Sequence, residues 1–236
     1  MSLSSCKMTV TYLTLNKTLA DIDSLVIPSE PPDPKSNFRF SWALWVQTET
    51  KQKDQVDYQD STKQVLTFNT IETFWNAFAH IPQPSLFLAR EKVLFKDNQI
   101  SSIMLFREGV RPEWEDEVNA EGGHFQFHWK PKGIEAGQID EFWNNLVLAV
   151  VGNTIESEGE FASTPIVQGV RFVDKLSGQG KQAGVRIEIW FSKPHDPRQL
   201  QKVRTRLEKA MACHTDGSLG TVPRCDVKYH CNRSIH

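Results

Sequence analysis

Apolar and polar residues alternate in three stretches of this chain. In "FRFSWALWV", Phe38, Phe40, Trp42, Leu44 and Val46 fall on one side of an extended backbone. In "HFQFHW", Phe125, Phe127 and Trp129 alternate with His124, Gln126 and His128. In "VRIEIWF", Val185, Ile187, Ile189 and Phe191 alternate with Arg186, Glu188 and Trp190. A period of two predicts strands. One greasy and one mixed face per strand predicts an antiparallel sheet covered on one side. "QVLTF", "IMLFR", "IVQGVRF" and "CDVKYH" are weaker strand candidates.

Between these strands the period lengthens to that of a helix. "TIETFWNAFAHI" carries Ile71, Phe74, Trp75 and Phe78 at helical spacing, with Thr70 placed to cap it. "QIDEFWNNLVLAVVG" has a stripe of Ile139, Phe142, Trp143, Leu146, Val147 and Val150, and Gly152 is its expected stop. "DPRQLQKVRTRLEKAMA" has Asp196 as its cap, Pro197 at its first position and a stripe of Leu200, Val203, Leu207 and Met211. Its many Lys and Arg residues are read as a solvated face. Strands and helices in this order predict an α+β domain, with the helices on the greasy side of a curved sheet.

Composition narrows the picture. The chain has 236 residues, a formal charge of −2 and 39% hydrophobic residues, which suits one compact domain with tails. Residues 1–36 end in "IPSEPPDPKS", whose prolines and acids predict an extended leader; residues 37–236 hold the domain. No apolar run approaches the roughly 18 residues of a membrane span. The first residues carry no basic stretch followed by an apolar run, so no secretion signal is expected. Near-zero charge argues against general affinity for a nucleic-acid backbone and leaves room for a local basic pocket. Cys6, Cys213, Cys225 and Cys231 form no CxxC pair, which predicts a reduced cytoplasmic setting, with the nucleus as a further location. Three of them share the C-terminal end with His214, His230 and His236, yet at no familiar zinc spacing, and no metal or other cofactor is expected.

The chemistry concentrates in "RPEWEDE", residues 111–117, where Trp114 precedes three carboxylates. A core would reject the acids, and a plain solvated loop has no use for the indole. A flat cationic ligand satisfies both. Cation–π attraction reaches about 2 kcal/mol when desolvated, and stacking of a base on an aromatic adds roughly 1–3 kcal/mol. The carboxylate of Glu115 could accept two N–H donors from a guanine edge. A methylated, positively charged guanine fits the pair. Arg186 and Trp190, four apart on one strand, point to the open sheet face, as an exposed indole beside a guanidinium. Arg171 adds a second cation from a neighbouring strand, and two arginines could clamp a phosphate.

These residues carry a family resemblance. "SWALWV", "TIETFWNAFAHI", "LFREGVRPEWEDE", "EGGHFQFHW", "DEFWNNLVLAVVG" and "VRIEIW" resemble, in order, the blocks of the eukaryotic translation initiation factor 4E family, which binds the 7-methylguanosine cap of messenger RNA. The resemblance runs from about Phe38 to about Met211. It implies a curved antiparallel sheet with three helices packed on its convex face and a cap site on the concave face. It implies that Trp114 is one of two aromatics sandwiching the base, that Glu115 pairs with its edge, and that Trp190 lies near the methyl group. Arg171 and Arg186 match positions that meet the phosphates; Lys175 and Lys181 are candidates for a further lysine. The second sandwich aromatic falls on Tyr58, where the family usually has Trp, which implies weaker stacking. On the convex face, Trp75 matches the residue that receives a short helix from an initiation factor 4G scaffold or a repressor, with Phe38, Ile71 and Leu148 joining it. Asn145 stands where the family commonly has Glu, and Asn144 where it commonly has an aliphatic residue, which implies a changed partner set.

The resemblance therefore implies a cap-binding initiation factor or, as the alternative, a cap-binding repressor or adaptor. An enzyme is not expected: the carboxylates near His124 and His128 lack a nucleophile motif, a phosphate-binding glycine loop and a zinc signature. The segment between Pro84 and Met104, longer than the family norm, could touch RNA beyond the cap or be a solvated insertion, and the second is expected.

Overall fold

The computed structural model describes residues 36–49, 61–156, 165–178, 180, 183–214 and 218–230. The predicted leader (apart from Ser36), Tyr58, Lys181, Cys6, Cys231 and His236 lie outside these described residues. Among the described residues, eight strands form one antiparallel sheet. They are β1 (Asn37–Thr48), β2 (Thr62–Thr70), β3 (Leu94–Phe95), β4 (Asn98–Arg107), β5 (Gly123–Trp129), β6 (Val167–Lys175), β7 (Gly184–Phe191) and β8 (Cys225–Tyr229). Their spatial order is β2-β1-β4-β6-β7-β5-β8, with β3 paired to β4. Every strand predicted from alternation is present.

The three predicted helices are α1 (Ile71–Phe78), α4 (Ala136–Val151) and α5 (Pro197–Ala212). Two short ones, α2 (Pro84–Leu88) and α3 (Glu117–Ala120), were not expected. Thr70 caps α1: its hydroxyl accepts the Thr73 N–H at 3.1 Å, and the Thr73 hydroxyl accepts the Thr70 N–H at 3.2 Å. Asp196 and Gln199 make the same reciprocal arrangement at α5, behind Pro197. Such a cap is worth about 1 kcal/mol. Gly152 ends α4 as predicted, in right-handed geometry (φ −71°); the left-handed residue is the next one, Asn153 (φ 56°). Gly152 is needed for space, since a Cβ there would lie 2.7 Å from the Leu148 carbonyl oxygen.

The main core lies between the long helices and the greasy sheet face. Phe74, Phe142, Trp143, Val147 and Leu207 from the helices meet Leu44, Leu105, Phe127, Phe172 and Ile187 from the strands, all buried. Trp129 stacks on Phe142 at 5.7 Å, and Trp143 meets Phe172 edge-on at 6.2 Å. Burying one large apolar side chain contributes about 1.5–3 kcal/mol. The opposite face has its own small cluster of Met104, Phe106, Val110 and Trp190, with Trp45 packed against it.

The 84–104 segment departs from expectation. It is built into the fold rather than a solvated insertion. Phe87, Val93 and Phe95 are buried, and Phe87 packs on Phe172 at 5.0 Å. Lys96 and Asp97 both take positive φ (46° and 67°), the handedness that a two-residue hairpin turn between twisted strands demands. Arg90 reaches across to the Leu176 carbonyl at 3.0 Å. The charges of this segment face water while its apolar residues extend the core.

Candidate nucleotide-binding site

Register assembles the concave face in rows. One row runs Ala43, Phe106, Gly169, Trp190, His124, Lys228; the next runs Trp45, Met104, Arg171, Glu188, Gln126, Asp226. Beyond them lie Gln47, Ser102, Val173, Arg186 and His128. Cations from β6 and β7 thus share a face with Trp190, as alternation predicts.

Above this face the chain leaves β4 and turns at Gly109, whose φ of 87° favours glycine. The loop that follows is held by its own polar groups. The Asp116 carboxylate accepts the N–H of Arg111 at 2.9 Å and of Val118 at 3.0 Å, capping α3. Asn119 is buried, and its amide donates to the carbonyls of Arg111 (2.8 Å) and Glu113 (2.9 Å). Buried Glu113 accepts from Arg111 at 2.8 Å. These bonds leave Trp114 39% exposed and Glu115 exposed beside it. Of the three acids after Trp114, Asp116 shapes the loop while Glu117 faces solvent.

Two expectations are corrected here. Trp190 lies on the concave side but is fully buried rather than exposed. His124 stacks on it at 5.8 Å, His230 packs against it at 4.6 Å and Phe106 meets its edge at 5.4 Å. Its indole N–H donates to Glu188 at 3.1 Å. Arg171 does not offer a free guanidinium fork. Its Nε donates to Ser102 at 2.9 Å, one Nη donates to Gln47 at 2.8 Å and the other lies 3.9 Å from Glu188.

Glu188 is the electrostatic hub. Burial works to raise its carboxyl, but Arg171, His124, Arg186 and the Trp190 N–H outweigh burial and hold it below the ordinary value. Arg186 stands 3.9 Å from the same carboxylate, and its Nε has no hydrogen-bond partner. Lys175 ends β6 on the same face, opposite Gly184, and is exposed. The structure therefore brings together Trp114, Glu115, Trp190, Arg171, Arg186 and Lys175 around one face, with Trp190 and Arg171 inside it. Sequence reasoning missed Glu188, Asn119 and His230. Glu188 was visible as the residue between Arg186 and Trp190; His230 lies in a C-terminal segment outside the resemblance.

On the opposite face, Trp75, Ile71 and Leu148 are 41%, 44% and 39% exposed. Trp75 rests edge-on against Phe74 at 5.1 Å and Phe78 at 5.9 Å. Phe38 is half-buried against Phe74 at 5.8 Å. Asn144 accepts from Gln83 at 3.0 Å, and Asn145 donates to the Cys213 carbonyl at 2.7 Å.

The family model described as "Eukaryotic initiation factor 4E" matches residues 37–232. The chain belongs to the eukaryotic initiation factor 4E family. It is 36% identical over 170 residues to the Candida albicans translation initiation factor 4E, covering 72% of this chain and 70% of that one. To the Saccharomyces cerevisiae factor it is 29% identical over 211 residues, covering 89% and 87%. Among solved structures, the fold is similar to Ascaris suum eIF4E-3 with an m7G cap (TM-score 0.60, 23% identity, covering 85% of this chain and 94% of that one). It is also similar to C. elegans eIF4E-3 with the 4E-binding protein Mextli (TM-score 0.62, 20% identity, covering 84% and 94%). Among the described residues no group of three or more His, Cys, Asp or Glu could hold a metal ion, and no helix is long and apolar enough to cross a membrane.

Proposed function

We propose that this member of the 4E family binds the 7-methylguanosine cap of messenger RNA on its concave face and recruits that RNA for translation initiation, in the cytoplasm. The observation that carries the reading is the Trp114–Glu115 unit: an exposed indole and an exposed carboxylate on a loop fixed from below by Asp116 and Asn119. The indole takes the face of the cationic base and Glu115 takes its N–H edge. Arg186 and Lys175 serve the phosphates, while Arg171 acts one layer down by steadying Glu188. Tyr58 is assigned across the base from sequence alone. Relatives of this fold are seen with cap analogues and with 4E-binding proteins, and the patch of Trp75, Ile71 and Leu148 suits a short partner helix.

Titration with 7-methyl-GTP and GTP, followed by tryptophan fluorescence, tests the reading. Strong quenching by the methylated nucleotide alone is expected, because only it carries the positive charge. An equal response to both, or none, refutes the site. A repressor or adaptor role is the second reading, favoured by Asn144 and Asn145, whose amides are spent on Gln83 and Cys213. Capture on cap resin distinguishes the two: recovery of an initiation scaffold with a helicase sinks the repressor reading.

A further inference from the structure

One feature of the concave face is unused by this reading: a pair of buried imidazoles beneath the Trp114 loop. His124 comes from β5, and His230 follows β8 directly. Both are buried, at 6% and 8% exposure. His230 Nδ1 lies 2.8 Å from the Asn119 carbonyl oxygen, and its Nε2 lies 3.1 Å from His124 Nδ1. Its ring sits 4.6 Å from that of Trp190 and 6.4 Å from that of Trp114.

Proton bookkeeping fixes the state of the pair. A carbonyl oxygen cannot donate, so His230 Nδ1 must carry the hydrogen. In a neutral ring its Nε2 is then a bare acceptor, and His124 Nδ1 must be the donor facing it. Both rings are thereby Nδ1–H tautomers, and a proton added at His230 Nε2 would set two donors against each other. Burial first of all, with His230, Lys228 and Arg171 adding to it against the pull of Glu188, lowers His124 to a pKa of about 4 and keeps it neutral near physiological pH.

The bond from His230 ends on the residue that holds the loop. Asn119 ties Arg111 and Glu113 through its amide, and these flank Trp114 on its N-terminal side. We propose that His230 is a positioning residue for cap binding, fixing the Trp114–Glu115 loop through the Asn119 carbonyl as an Nδ1–H tautomer set by His124. This rests on the reading that the loop carries the base contact. The C-terminal strand thus acts on the ligand without touching it.

The test separates a donor role from simple packing. His230→Phe keeps a ring against Trp190 but removes the donor; His230→Asn keeps an N–H near the place of Nδ1 but loses ring area. With the donor role, His230→Phe should weaken 7-methyl-GTP binding about tenfold, because the Asn119 carbonyl keeps the Gly122 N–H but loses the donor that ties it to the His124 pair, and the loop is loosened. His230→Asn should stay within about threefold of the unaltered chain. Unchanged binding by His230→Phe, or equal losses in both variants, overturns the proposal. Should either variant fail to fold, nitrogen NMR of the unaltered protein decides: an Nδ1–H signature for His230 supports it, and an Nε2–H signature overturns it. If the unaltered chain ignores 7-methyl-GTP, the cap reading itself falls and this role with it, whereas a normal response left intact by His230→Phe removes this role alone.

Discussion

Two tryptophans of this chain reach solvent to almost the same extent, Trp114 at 39% and Trp75 at 41%, on opposite faces of one sheet. Exposure does not distinguish them; their neighbours do. Trp114 is set among polar groups: Glu115 beside it, Asp116 and Asn119 holding its loop, His230 below. Trp75 is set among apolar ones: Ile71 exposed one turn earlier on α1, Phe74 and Phe78 beneath. An indole flanked by carboxylates favours a flat cation with donors on its edge, because quadrupole and charge then act together. An indole flanked by aliphatic side chains gains only from buried area, which a helix with apolar anchors supplies. On the proposed reading, the same residue type serves a nucleotide on one face and a protein on the other.

The largest expected effect comes from removing each of the two indoles in turn. Trp114→Ala should weaken 7-methyl-GTP binding by about 3 kcal/mol, on the order of 100-fold, from lost stacking and cation–π attraction. Trp75→Ala should leave that affinity within about twofold, as expected of a distant independent site. Isothermal titration of both variants is the check. Equal losses would mean that the faces are not independent and would break the comparison.

Acid should next sharpen it, because the concave face buries ionisable groups. His124 titrates at about 4 in the folded chain against 6.5 when free. Between those values the unfolded chain binds more protons, so stability rises with pH and is lost on acidification. The full window of 2.5 units corresponds to about 3 kcal/mol, of which about 2 kcal/mol is gone by about pH 5. Glu188 works in the same direction: its carboxyl is held low, so its contribution is present above its ordinary pKa and lost as pH falls further. Urea denaturation at about pH 7 and about pH 5 measures the loss, and His124→Phe should flatten it. A slope unchanged by that substitution would place the titrating group elsewhere.

On the convex face, Trp75→Ala should cost about 2 kcal/mol, roughly 30-fold, in affinity for a partner helix, as a central aromatic anchor does. Cap affinity should not follow. Fluorescence anisotropy with a labelled amphipathic peptide from a 4E-binding protein reads the first quantity. A partner affinity indifferent to Trp75 would remove the protein-binding half of the comparison.

The sequence carried the sheet well, because every long strand has one face on the core and the period of two follows from that. It did not carry β3, which is only Leu94–Phe95 and owes its existence to the turn at Lys96 and Asp97. In the site, Trp114 and Glu115 were legible because their mixture suits neither core nor plain loop. Alternation also gave the correct face for Trp190 and Arg171. What it could not give is the next layer. Trp190 is covered by His230, which β8 brings back from far along the chain. Arg171 is engaged by Gln47 and Ser102, which register across β1, β4 and β6 places beside it. Periodicity assigns a side chain to a face; pairing partners distant in sequence decide whether it reaches the surface.

The smallest effect tests how Asn145 divides its service between fold and partner. Its amide donates to the Cys213 carbonyl, the residue that closes α5, so the side chain links α4 to the end of α5. Asn145→Ala should therefore lower stability by about 1 kcal/mol, the usual net worth of one such bond. Partner-helix affinity should change far less than with Trp75→Ala, because the donor is already engaged and the side chain adds little apolar area. Thermal denaturation and the same anisotropy titration, run on one variant, give both numbers. A large loss of partner affinity with unchanged stability would mean that Asn145 leaves Cys213 to meet the partner. The convex face would then hold a polar contact of its own, and its contrast with the Trp114 site would be one of degree.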